Sequence, residues 1–373
     1  MSTEYCFLFI IPPLLSRCRP YPQALRANYI GLQCVLMKHV DNITGHRVQV
    51  RVLGAVPVPQ FPFARNAYSS PEASMTEHFP SHPDVASWKA RIAAAAFGRE
   101  RRGIAALIKP AALVAAVAGR LDLIETWLRH VPDDIIDRDP QLLYWSGVTI
   151  IMERPGEAQP LFQRALEKFL AGSKDSWSLL AWAGLVDCIF FLYRDLRELD
   201  SWIDWMTPER EKVVDRMPAP TKKLVVSSML FALAFRKPNH PRIGIWRERA
   251  EGLIEADPTS DLGARLTSGL ICDYTWRGNF AAAETVLRRF HARALRKGLS
   301  PLATILGHLN DATLALHQGR LEECSIAVEA GLKASATHNI RIWDGILRCH
   351  AISVACSRLE LDTASKHIAA IDE

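Results

Sequence analysis

The chain has 373 residues, 49% of them apolar, with 45 lysines and arginines against 40 aspartates and glutamates. The positive excess sits at the start: seven against three in residues 1–74, then 38 against 37 in residues 75–373. The bulk of the chain therefore lacks the basic footprint of direct nucleic acid binding, and with no run of 18 apolar residues no membrane-spanning helix is expected.

Residues 1–74 hold eight of the 22 prolines and none of the ten tryptophans. Residues 48–52, Val-Gln-Val-Arg-Val, alternate as a strand does but have no evident partner. Residues 6–15 come nearest to a signal-peptide core, yet they contain Pro12-Pro13 and follow only Glu4. Asn42-Ile43-Thr44 fits a glycosylation sequon, which carries no weight without secretion. Three readings stand for this segment: loosely packed or disordered chain, translated sequence upstream of a start at Met75, or a small separate domain. The eight cysteines form no C-x-x-C pair and mostly fall in apolar helical patterns. That usage predicts free buried thiols in a reducing, cytoplasmic compartment.

From Pro83 the pattern changes. Asp84 caps a predicted helix through Trp88, Ile92 and Phe97. A charged break follows over 98–103, then an apolar helix over 105–117 and a turn at Gly119. Short polar turns of this kind recur: Ala118-Gly119-Arg120-Leu121, Arg277-Gly278-Asn279-Phe280, Gln318-Gly319-Arg320-Leu321 and Ser357-Arg358-Leu359-Glu360. Gly278 and Gly319 lie 41 residues apart, and Gly119 to Leu359 divides into six intervals averaging 40. A period of this length marks stacked helix-turn-helix units, each unable to bury its apolar face alone. The expected fold is all-α: an α-α superhelix over 84–373, a right-handed solenoid of antiparallel helix pairs.

The second helix of each pair follows one rule. Five, nine and twelve residues after the turn glycine come Ile124, Leu128 and Val131, then Ala283, Leu287 and Phe290, then Cys324, Val328 and Gly331. In the last unit the offsets run from Leu359 to Ala364, Ile368 and Ile371, which predicts a turn two residues longer there. After Pro155-Gly156 the same internal spacing gives Ala158, Phe162 and Ala165. Such positions share a helix face, and the small first residue lets the neighbouring helix approach.

The first helices, over 142–152, 179–192, 224–235, 264–276, 305–317 and 342–356, are apolar all round, as helices covered on two sides should be. Gly147, Gly184 and Gly269 interrupt three of them, consistent with close packing. Stops fall at Pro132, Pro140, Pro218-Ala219-Pro220, Pro238, Pro258 and Pro301. The unit over 207–258 is irregular, with a second helix through Trp246, Ala250 and Leu253. Six complete units and one partial unit fit between 103 and 373. The apolar stripe of the last helix predicts either a continuation of the chain or self-association through this end.

The segment Gly119-Arg120-Leu121-Asp122-Leu123-Ile124-Glu125-Thr126-Trp127-Leu128-Arg129-His130-Val131-Pro132 resembles a repeat of MalT-like tetratricopeptide regions. Asp139-Pro140-Gln141-Leu142 through Gly147 is similar to that family's helix opening, and residues 157–166 to its second helix. The resemblance covers about residues 103–373. It implies a bacterial signalling or transcription-regulatory module that binds a protein partner, an effector domain of its own, or a small-molecule inducer. The family's ATPase and DNA-binding parts have no counterpart: Gly98 and Gly103 have phosphate-loop spacing, but Ile104-Ala105 follow in place of Lys-Ser/Thr.

No H-E-x-x-H, G-x-S-x-G or G-x-G-x-x-G is present, so no catalytic residues, metal or cofactor are expected. Asp311 with His308 and His317 is the nearest approach to a ligand set, and a third ligand is not evident. Tryptophan is frequent in the repeats, which fits either packing or an aromatic groove. Taking register from the mid-helix glycines, Tyr144, Cys188, Asp273, Tyr274 and His317 form the candidate ligand-binding wall. The expected function is non-enzymatic binding of a protein partner along the groove, with small-molecule sensing as the alternative.

Overall fold

The computed structural model describes residues 85–97, 101–192 and 195–372, all within one compact unit. The expectations for residues 1–74 and the Asp84 cap lie outside the described residues. Seventeen α-helices and no strand are found among those described, and none of these helices is long and apolar enough to cross a membrane.

α1 (Val85–Phe97) precedes the repeats, and α2 (Arg101–Val117) pairs with α3 (Leu121–Leu128). After the one-turn α4 (Asp133–Ile136) come α5 (Pro140–Ile150) with α6 (Pro155–Ala171), then α7 (Asp175–Phe191) with the broken pair α8 (Leu199–Trp205) and α9 (Pro208–Arg216). The remaining pairs are α10 (Ala219–Arg236) with α11 (Ile243–Ala256), α12 (Asp261–Trp276) with α13 (Phe280–Lys297), α14 (Pro301–His317) with α15 (Leu321–His338), and α16 (Asp344–Ser357) with α17 (Leu361–Asp372). The first helices α2, α5, α7, α10, α12, α14 and α16 touch in succession. Each intervening second helix packs on its own partner and, in most units, on the next first helix. Contacts of this nearest-neighbour kind are what a repeat stack requires.

Several sequence stops prove to be helix starts. Pro140 and Pro301 occupy the first turn of α5 and α14, where a missing N–H costs nothing. Asp139 accepts hydrogen bonds from the N–H groups of Gln141 (2.9 Å) and Leu142 (3.3 Å), and Ser300 accepts one from Ala303 (3.1 Å). α5, α7, α10, α12 and α14 thus begin two to five residues before their apolar runs, whereas α16 begins two residues after the expected start at 342. The charged break before 105 is also shorter than expected, because α2 starts at Arg101 and contains Gly103.

The four turns share one backbone motif. Gly119, Gly278, Gly319 and Leu359 all have φ between +61° and +73°. In each, the next N–H reaches back to a carbonyl five residues earlier: Arg120 to Ala115, Asn279 to Tyr274, Arg320 to Ala315 and Glu360 to Ala355. The last turn is therefore the same length as the others, not two residues longer. Leu359 stands where the others have glycine, and matching Arg358-Leu359 to Arg320-Leu321 shifts the register by two.

The offset rule describes real burial. Ala158, Ala283, Cys324 and Ala364 are buried, as are Phe162, Leu287, Val328 and Phe290, while Ile368 and Ile371 are half-buried. The irregular unit is joined by charge. Glu211 of α9, only 2% exposed, accepts both Arg242 (2.6 Å twice) and Arg249 (2.8 Å) from the α11 region. Tryptophans mostly pack. Trp182 donates its indole N–H to the Trp202 carbonyl (3.0 Å) and stacks on the buried Trp205.

Candidate functional site

The five candidate wall residues lie on four helices, and four of them are core. Tyr144 of α5 is buried edge-on among Trp145, Phe162 and Trp177, and burial raises its phenol pKa. Cys188 of α7 is fully buried, and burial likewise raises its thiol pKa. Asp273 is 2% exposed and held between Arg247 (2.6 Å) and Arg277 (2.8 Å), so it joins α11 to α12. Tyr274, also buried, donates to Glu251. His317 alone is exposed, with Nδ1 2.8 Å from the Thr313 carbonyl. A buried polar side chain on an otherwise apolar helix needs a partner, and for Asp273 and Tyr274 that partner is a side chain of the neighbouring α11. These four buried groups are therefore packing residues and do not form an open wall.

A concave site does form elsewhere, between consecutive second helices. α13 and α15 are the walls and α14 the floor of a cleft of about 550 Å³. Leu287 of α13, Leu314 and Ala315 of α14, and Ala327 of α15 give it an apolar base. Ile326 on the α15 wall is 59% exposed.

The polar groups of the cleft fall into two sets. On the rim, Arg320 bonds to Glu323 and Gln318, and Gln318 donates to Glu284 (2.8 Å). Across the floor, His291 Nε2 lies 2.8 Å from Asp311 Oδ1. That hydrogen bond raises the His291 pKa, whereas burial lowers that of His308 beside it. The cleft thus combines an imidazole paired with a carboxylate, a second imidazole, the Arg288 side chain and an apolar base.

His308 and Asp311 are legible as a pair in the sequence, being three apart on one helix. His317 does not complete the set. His291, from the preceding unit and 20 residues before Asp311, instead bonds to Asp311 across a turn, which makes a hydrogen-bonded pair and not a ligand set. Among the described residues no group of three such side chains is arranged to hold a metal ion. The five described cysteines are free thiols, four buried and Cys272 half-buried.

Comparisons of the chain with protein-family models, with curated proteins and with solved structures each find no match.

Proposed function

We propose that the chain is a helical-repeat interaction module, of tetratricopeptide-like, right-handed superhelical form, that binds a protein partner without chemistry of its own. The observation that carries this is the cleft between α13 and α15. Two helical walls, an apolar base and an exposed isoleucine are features that an amphipathic segment of a partner fills. The likeness of residues 119–132 to MalT-like repeats supports a place in cytoplasmic bacterial signalling or transcription regulation, with an effector domain among the candidate partners. The half-burial of Ile368 and Ile371 on α17 supports self-association as a further contact, which sedimentation of Ile368→Glu against the parent chain tests: no difference in sedimentation removes it.

A second reading has its own support. The cleft's volume lies in the range of small-molecule sites, and His291, Asp311 and Arg288 give a ligand charged groups to meet. One experiment separates the two. A photo-crosslinking residue is placed at Ile326 and, as control, at Arg129 on α3, in cells of the native host. A discrete protein adduct from position 326 alone supports the interaction module. A thermal shift caused by a host metabolite fraction and abolished by Arg288→Glu, without a protein adduct, supports the sensor. Neither result sinks the site.

A further inference from the structure

α7, α10, α12, α14 and α16 touch in that order. Packed helix axes stand about 8–10 Å apart, so a flat row would separate α7 from α16 by about 30–40 Å. Yet Phe191, the last residue of α7, meets Trp343, the residue before α16, with ring centroids 5.4 Å apart and planes at 85°. The row is therefore curled until its ends meet across three intervening helices.

The two halves of this contact are built differently. Phe191 is fixed from behind. The Arg265 guanidinium lies 5.9 Å from the ring centroids of both Phe191 and Phe231. Arg265 is clamped on Asp187, whose other bond comes from the Ser228 hydroxyl (2.8 Å). α7, α10 and α12 are thereby tied into one buried ion pair beneath the ring. Trp343 is 2% exposed, yet among the described residues its indole N–H finds no acceptor. Water would supply that acceptor on release, so the docked indole gives up a hydrogen bond that the released one regains. The contacts that hold it among the described residues are apolar and edge-to-face.

We propose that Phe191 and Trp343 form a clasp that keeps the helix row curled, with Phe191 the fixed half and Trp343 the releasable half. Release uncurls the row and opens its inner face, including the cluster of Phe190, Phe191 and Phe231. Small rotations at successive helix interfaces suffice for this, and no helix has to unfold.

The test is small-angle X-ray scattering of the full chain and of Trp343→Leu, Trp343→Phe and Phe191→Leu, with helix content followed by circular dichroism. Trp343→Leu and Phe191→Leu are expected to keep their helix content and to show a larger radius of gyration than the parent. The double variant should expand no further, because both changes break one contact, and Trp343→Phe should stay close to the parent. A folded Trp343→Leu or Phe191→Leu variant with the parent's scattering curve overturns the proposal. Loss of helix in both leucine variants overturns it too, because a clasp that releases must leave the helices standing.

Discussion

Phe162 of α6 packs so tightly on Gly184 of α7 that a methyl group at 184 would stand 2.6 Å from the ring's Cδ1 and Cε1. Gly147 of α5 meets the tip of the same ring, where a methyl would stand 2.9 Å from Cε1 and Cζ. The ring is thus wedged against both glycines. Alanine gains about 1 kcal/mol of helix propensity over glycine, and overpacking of a close contact costs about 1–3 kcal/mol. Gly184→Ala should therefore destabilise the fold by about 1–2 kcal/mol. Gly269→Ala meets the Leu230 Cδ2 methyl at 3.2 Å, with the next atoms at ordinary contact distance, and should be near neutral. Urea midpoints check both, and a midpoint for Gly184→Ala at or above the parent's contradicts the wedge.

Leu359 holds φ at +61° with its side chain 75% exposed. The left-handed region costs a side-chain-bearing residue about 1–2 kcal/mol, and this leucine recovers little by burial. Leu359→Gly should raise stability by about 1 kcal/mol, the reverse of the usual effect of glycine substitution. Thermal melts of the two proteins decide it, and a lower melting temperature for the glycine variant refutes it.

Glu211 is buried between two guanidiniums, whereas Asp215 shares Arg249 from a position 53% exposed. Removing one member of a buried pair strands the charge of the other. Glu211→Gln should cost about 3 kcal/mol, lowered from the top of the usual range because Arg242 reaches water. Asp215→Asn should cost less than about 1 kcal/mol. Equal losses in denaturant titrations would show that burial of the pair is not what matters.

Stability should peak near neutral pH through opposed histidines. His350 donates Nδ1–H to the Ile346 carbonyl (2.7 Å) and turns Nε2 toward the Thr313 hydroxyl (3.1 Å). Burial brings its pKa from 6.5 down to about 4. The unfolded chain therefore takes this proton first, and stability falls as pH drops from 6.5 toward 4, by about 2–3 kcal/mol in all. His308 acts in the same direction. His291 is opposite: its raised pKa gives stability that is full below 6.5 and is lost as pH rises through the folded value. Melts across pH 4–9 should show His350→Gln flattening the acid limb and Asp311→Asn the alkaline one. An acid limb unchanged in His350→Gln removes His350 from the account.

Much of the local architecture is legible because it repeats at helical spacing. Ala283, Leu287 and Phe290, and their counterparts from Ala158 and Cys324, were placed on one buried face by counting from a turn. The glycines at 147 and 184 suggested close packing, and the packing is there. The register of the last turn is hidden in the sequence because Leu359 carries a side chain at a backbone position that normally identifies itself as glycine. Tyr144, Cys188, Asp273 and Tyr274 stand out as polar and aromatic residues on apolar helices, but the helix face that carries them is covered.

The sequence alone determined that the chain from about residue 84 builds paired helices on a period near 40, since hydrophobic spacing and turn chemistry act within and between adjacent helices. The tertiary structure alone decided which residues of different units meet. His291 finds Asp311 across a turn, Arg265 finds Asp187 across α10, and Trp343 finds Phe191 across three helices. Such meetings depend on the small rotation between one unit and the next, accumulated along the stack. That rotation is set by the exact fit of side chains at every interface, and no local pattern of residues records the sum.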